Sequence, residues 1–228
     1  VLSLDGAPVA VARTVIVLGS AALLLGFLVG PILVGAVDQL DPRRFAVFGV
    51  DERQMPWILT LASFVSVPSL ALIAVNISVC IVAIRLGAPW FVAVLMSVVS
   101  LLSTILSARI GMAVNALLLP ERRSRELTAL FALAVIVIAF PVAVFLASLK
   151  WDGQVPAAVA SLTATIGFTP LAASSRFLFS FATNDVAGNW ISGIVALVTI
   201  LVLCVAWSWL VLSLIHISEL TRQEAISY

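Results

Sequence analysis

Five runs of apolar residues, each long enough to cross a bilayer, alternate with short charged linkers, and no other property of the sequence restricts its fold so strongly. A membrane-spanning helix needs about 20 predominantly apolar residues at about 1.5 Å of rise each. The runs cover residues 14–37, 57–84, 89–119, 127–149 and 186–211. Only 10% of the 228 residues are charged and 63% are apolar, whereas roughly a quarter of a soluble domain is charged. A mean hydropathy of +1.23 agrees. The fold class expected is an all-α polytopic membrane protein with about five transmembrane helices.

The runs are not uniform. Pro68 sits inside the second, which is long enough to need a tilt or bend. The third exceeds the hydrocarbon thickness, and its last third, with Arg109 and Asn115, is expected to emerge into water. Gly19, Gly26, Gly30 and Gly35 in the first run are small residues that permit close helix packing. Between the fourth and last runs lies VPAAVASLTATIGFTPLAASSRFLFSFATND, whose apolar pieces, 157–166 and 171–182, reach only about half the bilayer. Gly167 and Pro170 separate them. Residues 155–183 therefore read either as a re-entrant pair of short helices or as a kinked span, and the second reading reverses the side of the C-terminus.

Arginine placement gives the orientation. The linker at 38–56 carries Arg43, Arg44 and Arg53, and the linker at 120–126 carries Arg122, Arg123 and Arg125. The intervening connections carry only Arg85 and Lys150. By the positive-inside rule both arginine-rich linkers are cytoplasmic in the cell membrane and the N-terminus lies outside.

Several function classes are disfavoured by what the runs omit. All nine acids before residue 212 (Asp5, Asp38, Asp41, Asp51, Glu52, Glu121, Glu126, Asp152 and Asp185) lie in linkers or at run ends, and no run contains Asp, Glu, His or Lys. Ion-coupled transporters and intramembrane proteases or metal enzymes need such groups within the membrane. The chain is thus not expected to be an enzyme, to hold a metal or cofactor, or to bind nucleic acid, and any transport needs energy from outside the bilayer. Cys80 and Cys204 sit in apolar runs and read as small buried hydrophobes.

Some polar residues have two readings. Arg109 lines a pathway or binds an anionic lipid, or it snorkels to the headgroups from near a helix end. Asn76 bonds a neighbouring helix or touches a substrate. Trp57, Trp90, Trp151 and Trp190, near run ends, read as interfacial anchors. In LDPRRFAVFGV, Asp41 is an N-cap followed by Pro42 at the first helical position. Phe45, Val47 and Phe48 then make a short amphipathic helix, read as a headgroup anchor or as a helix docking into a cytoplasmic partner.

LDPRRFAVFGV after an inward-running span, SARIGMAVNALLLPERRSRELTAL, GFTPLAA and a loop ending NDVAGNW together resemble the membrane permease of actinobacterial ATP-binding-cassette exporters of the type-2 class. The likeness covers about residues 14 to 211 and is most specific at Leu40 to Phe45. It departs at Phe168 and Leu171, where the family pattern has Trp and a second Pro. The resemblance implies six spans per half, so that the five runs are spans two to six and a first span is missing, as the absence of an initiator Met also suggests. It implies a coupling helix at Asp41, Pro42, Arg43, Arg44, Phe45, Phe48 and Arg53, with Arg122, Arg123 and Arg125 as a second cytoplasmic contact. The implied partners are a separate ATPase subunit, membrane lipids and a second permease half or homodimer partner. The chain itself has no GxxxxGK[ST] loop. The alternatives are a membrane anchor or assembly protein that moves nothing, and a fragment of a secondary transporter.

Residues 212–228, LSLIHISELTRQEAISY, resemble a translated sequencing-library adapter: Leu212 to Glu219 correspond codon for codon to CTG TCT CTT ATA CAC ATC TCC GAG. Leu220 departs from the adapter's Pro. This tail, with the sole histidine His216, is set aside from the functional reading.

Overall fold

The computed structural model describes residues 8–34, 54–118 and 155–226. Regular structure among them is helical: α1 (Val9–Val34), α2 (Met55–Ser63), α3 (Val67–Arg85), α4 (Trp90–Leu118), α5 (Ala157–Ile166), α6 (Ala173–Ser180) and α7 (Val186–Ile226). Four of these, α1, α3, α4 and α7, are long and apolar enough to cross a membrane. The chain is thus built to be embedded in one. The run at 127–149, the LDPRRF linker and the linker at 120–126 lie outside the described residues.

Local chemistry explains the breaks. The second apolar run does not bend but divides into α2 and α3. Ser66 is the N-cap of α3, its hydroxyl accepting from the Ser69 amide, and Pro68 falls in the first turn, where a missing N–H costs nothing. At the other end of α3, Gly87 takes φ 104°. Its amide bonds the Ile84 carbonyl, and that of Ala88 bonds Ala83 at 2.9 Å. This paired closure favours glycine at the left-handed position. The same closure ends α6, with Asn184 at φ 53° and the Asp185 amide on the Ser180 carbonyl.

Packing defines two ends of the bundle. At one, Ala12 and Ile16 of α1 pack with Val82 and Ala83 of α3, Ala88, Val92, Ala93 and Met96 around the start of α4, and Leu178 and Phe179 of α6. At the other, Met55 and Leu59 of α2 meet Leu106 and Ala113 of α4 and Trp207, Leu210, Val211, Leu214 and Ile215 of α7. We name these the Val9 end and the Met55 end. Cys80 packs at the first and Cys204 at the second, and both are free thiols.

The α5–α6 hairpin lies between them. Ala172, in its turn, packs on Val17 and Ala21 midway along α1, and Ala173 packs on Val99 and Ala196. From there α6 returns to the Val9 end, where Leu178 and Phe179 sit.

Two expectations are corrected by this packing. The last third of α4 does not emerge into water: Leu106, Arg109, Ala113 and Asn115 are buried, because α2 and the second half of α7 cover it. Among the described residues Gly19, Gly26 and Gly30 are not the close-packing residues, since a Cβ on any of them would meet none of those residues within 4 Å. Gly111 of α4 has that role, for a Cβ there would collide with the Leu28 carbonyl of α1. Gly35 lies outside the described residues. The helix α7 continues past Val211 without a break, and Leu214 and Ile215 pack in the cluster with α2 and α4.

Candidate functional site

Three polar features interrupt the apolar interior, one at each end and one between. At the Met55 end, Arg109 is only 3% exposed. Its Nε donates to the Ser63 hydroxyl, and its Nη2 to the Leu59 carbonyl at 3.3 Å. The guanidinium therefore holds the carboxyl end of α2, where a cation is favourable, and does not snorkel into the headgroups. Trp207 of α7 holds the opposite end of α2, its indole N–H donating to the Pro56 carbonyl at 3.1 Å. Together α4 and α7 clamp α2, the first described helix after the LDPRRF linker. Arg109→Lys keeps the charge but cannot span both acceptors. It is expected to cost about 1 kcal/mol, the loss of one hydrogen bond, as a lower unfolding midpoint in detergent.

Midway along the bundle, α1, α3, α4 and α6 enclose a cleft with about 400 Å³ of space between atoms. It adjoins a second crevice of about 270 Å³ toward α7, with which it shares Ser20, Ser100, Thr104 and Ser174. Both are narrow, with room at the core for about one water molecule. Every polar side chain among the described residues that line them is uncharged. Three of the lining hydroxyls are engaged within their own helix, as Ser and Thr in apolar helices commonly are: Thr104 donates to Ser100 O at 2.9 Å, Ser20 to Ile16 O at 2.7 Å and Thr199 to Val195 O at 2.6 Å. Because the Ser20 proton is so committed, the 2.6 Å contact between Ser20 and Ser175 is a donation from Ser175. The Ser97 hydroxyl is buried without a hydrogen-bond partner. Asn76 also lines the cleft, its amide donating to Leu72 O of its own helix at 3.0 Å.

Near the Val9 end, Arg176 of α6 ties the hairpin together. Its Nε donates to Asn189 Oδ1 of α7 and its Nη1 to the Ala164 carbonyl of α5, both at 2.7 Å. Its Cζ lies 3.7 Å from the centroid of the Phe168 ring, a stacking contact worth about 0.5–2 kcal/mol. Asn189 in turn donates to the backbone and carboxylate of Asp185. The side chain crosses Gly167 so closely that a Cβ there would stand 2.6 Å from Arg176 Cδ, so the break in GFTP is also the gap the arginine passes through.

Of the residues singled out from sequence, Asn76 lines the cleft, Arg109 clamps α2, and Asn115 is buried in α4 near the same end. The three are not brought into one site. Asp41, Pro42, Arg43, Arg44, Phe45, Phe48, Arg53, Arg122, Arg123 and Arg125 lie outside the described residues. Trp57, Trp90 and Trp190 are exposed on the bundle surface. Sequence reasoning missed Arg176, Asn189, Arg13 and Ser97. One signal was present for Arg176, a cation inside the apolar piece 171–182; none distinguishes Ser97 from its many neighbouring hydroxyls.

A scan against protein-family models, a search of curated proteins and a search of solved structures each return no match to this chain.

Proposed function

We propose that the chain is part of the membrane permease of an ATP-driven exporter, in which the cleft between α1, α3, α4 and α6 is the narrowed translocation pathway and a separate cytoplasmic ATPase supplies the energy. The observation that carries this reading is the lining of the cleft, where the described residues present hydroxyls and one amide among apolar side chains and, among them, no acid, histidine or lysine. Such a path can pass an amphipathic or apolar substrate but offers no protonatable group to couple it to an ion gradient. The resemblance of LDPRRFAVFGV, SARIGMAVNALLLPERRSRELTAL and GFTPLAA to type-2 exporter permeases points the same way. In the departure at Phe168, an aromatic face still stacks on Arg176, a role a Trp would also fill.

In this reading the Met55 end is cytoplasmic and the α5–α6 hairpin is re-entrant from the outer side. Its turn packs at mid-depth on Val17 and Ala21 while α6 ends beside Ala88 and Val92. The fifth span is 127–149. A coupling helix at 41–53 would feed directly into α2, and the Arg109 and Trp207 clamps would pass its motion to α4 and α7. Both long helices border the cleft system.

The test is association. The intact protein, expressed with its ATPase subunit, is expected to co-purify with it, and the double reversal Arg43→Glu, Arg44→Glu to reduce recovery of the ATPase at least tenfold, since reversed charges facing a complementary surface repel. Full recovery by the double variant would remove the coupling-helix assignment, and absence of any ATPase from the wild-type complex would favour a membrane anchor.

A further inference from the structure

We propose that Arg13 and Arg176 form an oxyanion site at the Val9 end of the bundle, built for a phosphate group that a phospholipid headgroup or free phosphate can supply. The site stands whether or not the chain works with an ATPase.

Helix packing brings the two arginines together. On α1, Ala12 and Ile16 pack against Leu178 and Phe179 of α6, Val17 packs on Ala172, and Ser20 receives the hydrogen bond of Ser175. This face of α1 thus lies along α6 from one end to the turn, and Arg13, one turn before Val17, extends it toward Arg176. The two guanidinium groups are close enough for the charge of one to act on the other.

The arginines are in different states. Arg176, 8% exposed, is fixed by Asn189, Ala164 and Phe168, and its two hydrogen bonds use two of the five N–H donors of a guanidinium. Arg13 is half-buried, and its Nε–H is enclosed with no hydrogen-bond partner. A buried donor on a cation is costly unless an acceptor reaches it, and buried polar groups in proteins are almost always paired. Among the described residues this end places Arg13, Arg85 and Arg176 against one carboxylate, that of Asp185, itself held by the Asn189 amide at 2.8 Å, so positive charge is in excess. A monoanionic phosphate supplies both the charge and oxygens that suit guanidinium forks.

Depth selects the ligand. Trp90 begins α4 at this same end, Trp190 follows the Asn189 that holds Arg176, and both indoles are exposed. Exposed tryptophans at the ends of membrane helices mark the headgroup layer. Arg13, one turn into the span that starts at Val9, and Asn189, which starts another and holds Arg176, thus lie close beneath that layer.

The experiment uses the full chain in an uncharged detergent, following its thermal unfolding midpoint while short-chain phosphatidylglycerol, inorganic phosphate at fixed ionic strength, or uncharged diacylglycerol is added. Phosphatidylglycerol is expected to raise the midpoint saturably and diacylglycerol to leave it unchanged. A saturable rise with inorganic phosphate as well makes the phosphate itself, and not the lipid, sufficient. Arg13→Gln is expected to fold, because Arg13 holds no other element, and to weaken the apparent affinity at least tenfold, with Arg13→Lys intermediate. Arg85→Gln, at the same end, is the control for general attraction to anions. The proposal is overturned if neither phosphate source gives a saturable rise, if Arg13→Gln binds as the wild type does, or if Arg85→Gln weakens binding equally.

Discussion

Trp207→Ala should unfold at a markedly lower temperature than the parent chain in detergent, with a loss of about 3–5 kcal/mol, the usual cost of emptying the volume of a buried aromatic. Trp207 is 2% exposed and is the largest fully buried side chain among the described residues. It packs within the cluster that joins α2, α4 and α7. Within a membrane the apolar surroundings of separated helices resemble lipid, so the loss comes chiefly from dispersion contacts across the cavity. Trp207→Phe separates this packing from the hydrogen bond to Pro56 O. It retains most of the volume and forfeits one donor, so about 1 kcal/mol is expected. Equal losses for both variants would show that the hydrogen bond, not the packing, fixes α2.

Gly111→Ala is the smallest change with a large expected effect. Its Cβ would press on the Leu28 carbonyl oxygen, a backbone atom that cannot rotate away, so α1 and α4 must separate along their contact. Overpacking of this kind costs about 1–3 kcal/mol. The comparison that makes the test specific is Gly26→Ala on α1, where the added Cβ meets nothing within 4 Å. That variant should stay within about 0.5 kcal/mol of the parent. If the two alanine variants melt together, α1 and α4 do not approach at Gly111 as described.

These two positions show what could be read in advance and what could not. The apolar run at 57–84 announced a helix with a disturbance at Pro68, and the described chain has α2, a break and α3 with Pro68 in its first turn. Gly167 and Pro170 announced a break, and the chain does break there, between α5 and α6. In these cases the cause is local: a proline lacks an N–H, and an N-cap hydroxyl meets a nearby amide. Such signals need no knowledge of neighbours.

Neighbours decided the rest. A helix in a membrane is apolar on every side, so its composition does not say which side meets protein and which meets lipid. Gly19, Gly26 and Gly30 therefore looked as suitable for close packing as Gly111, and only the position of Leu28 distinguishes them. Arg109 looked like a residue near a helix end reaching for headgroups, until α2 came to lie beside it with Ser63 and Leu59 as acceptors. Arg176 and Asn189 are 13 residues apart on separate helices and meet only because α6 turns back toward the start of α7. The sequence by itself determined that the chain is helical, where most described helices break, and that acids avoid its apolar runs, because backbone satisfaction and charge exclusion act residue by residue. Only the tertiary structure decided which glycine is a contact, which arginine is a clamp and which is left with a buried donor unpaired, because each of those features belongs to a pair of helices and not to either alone.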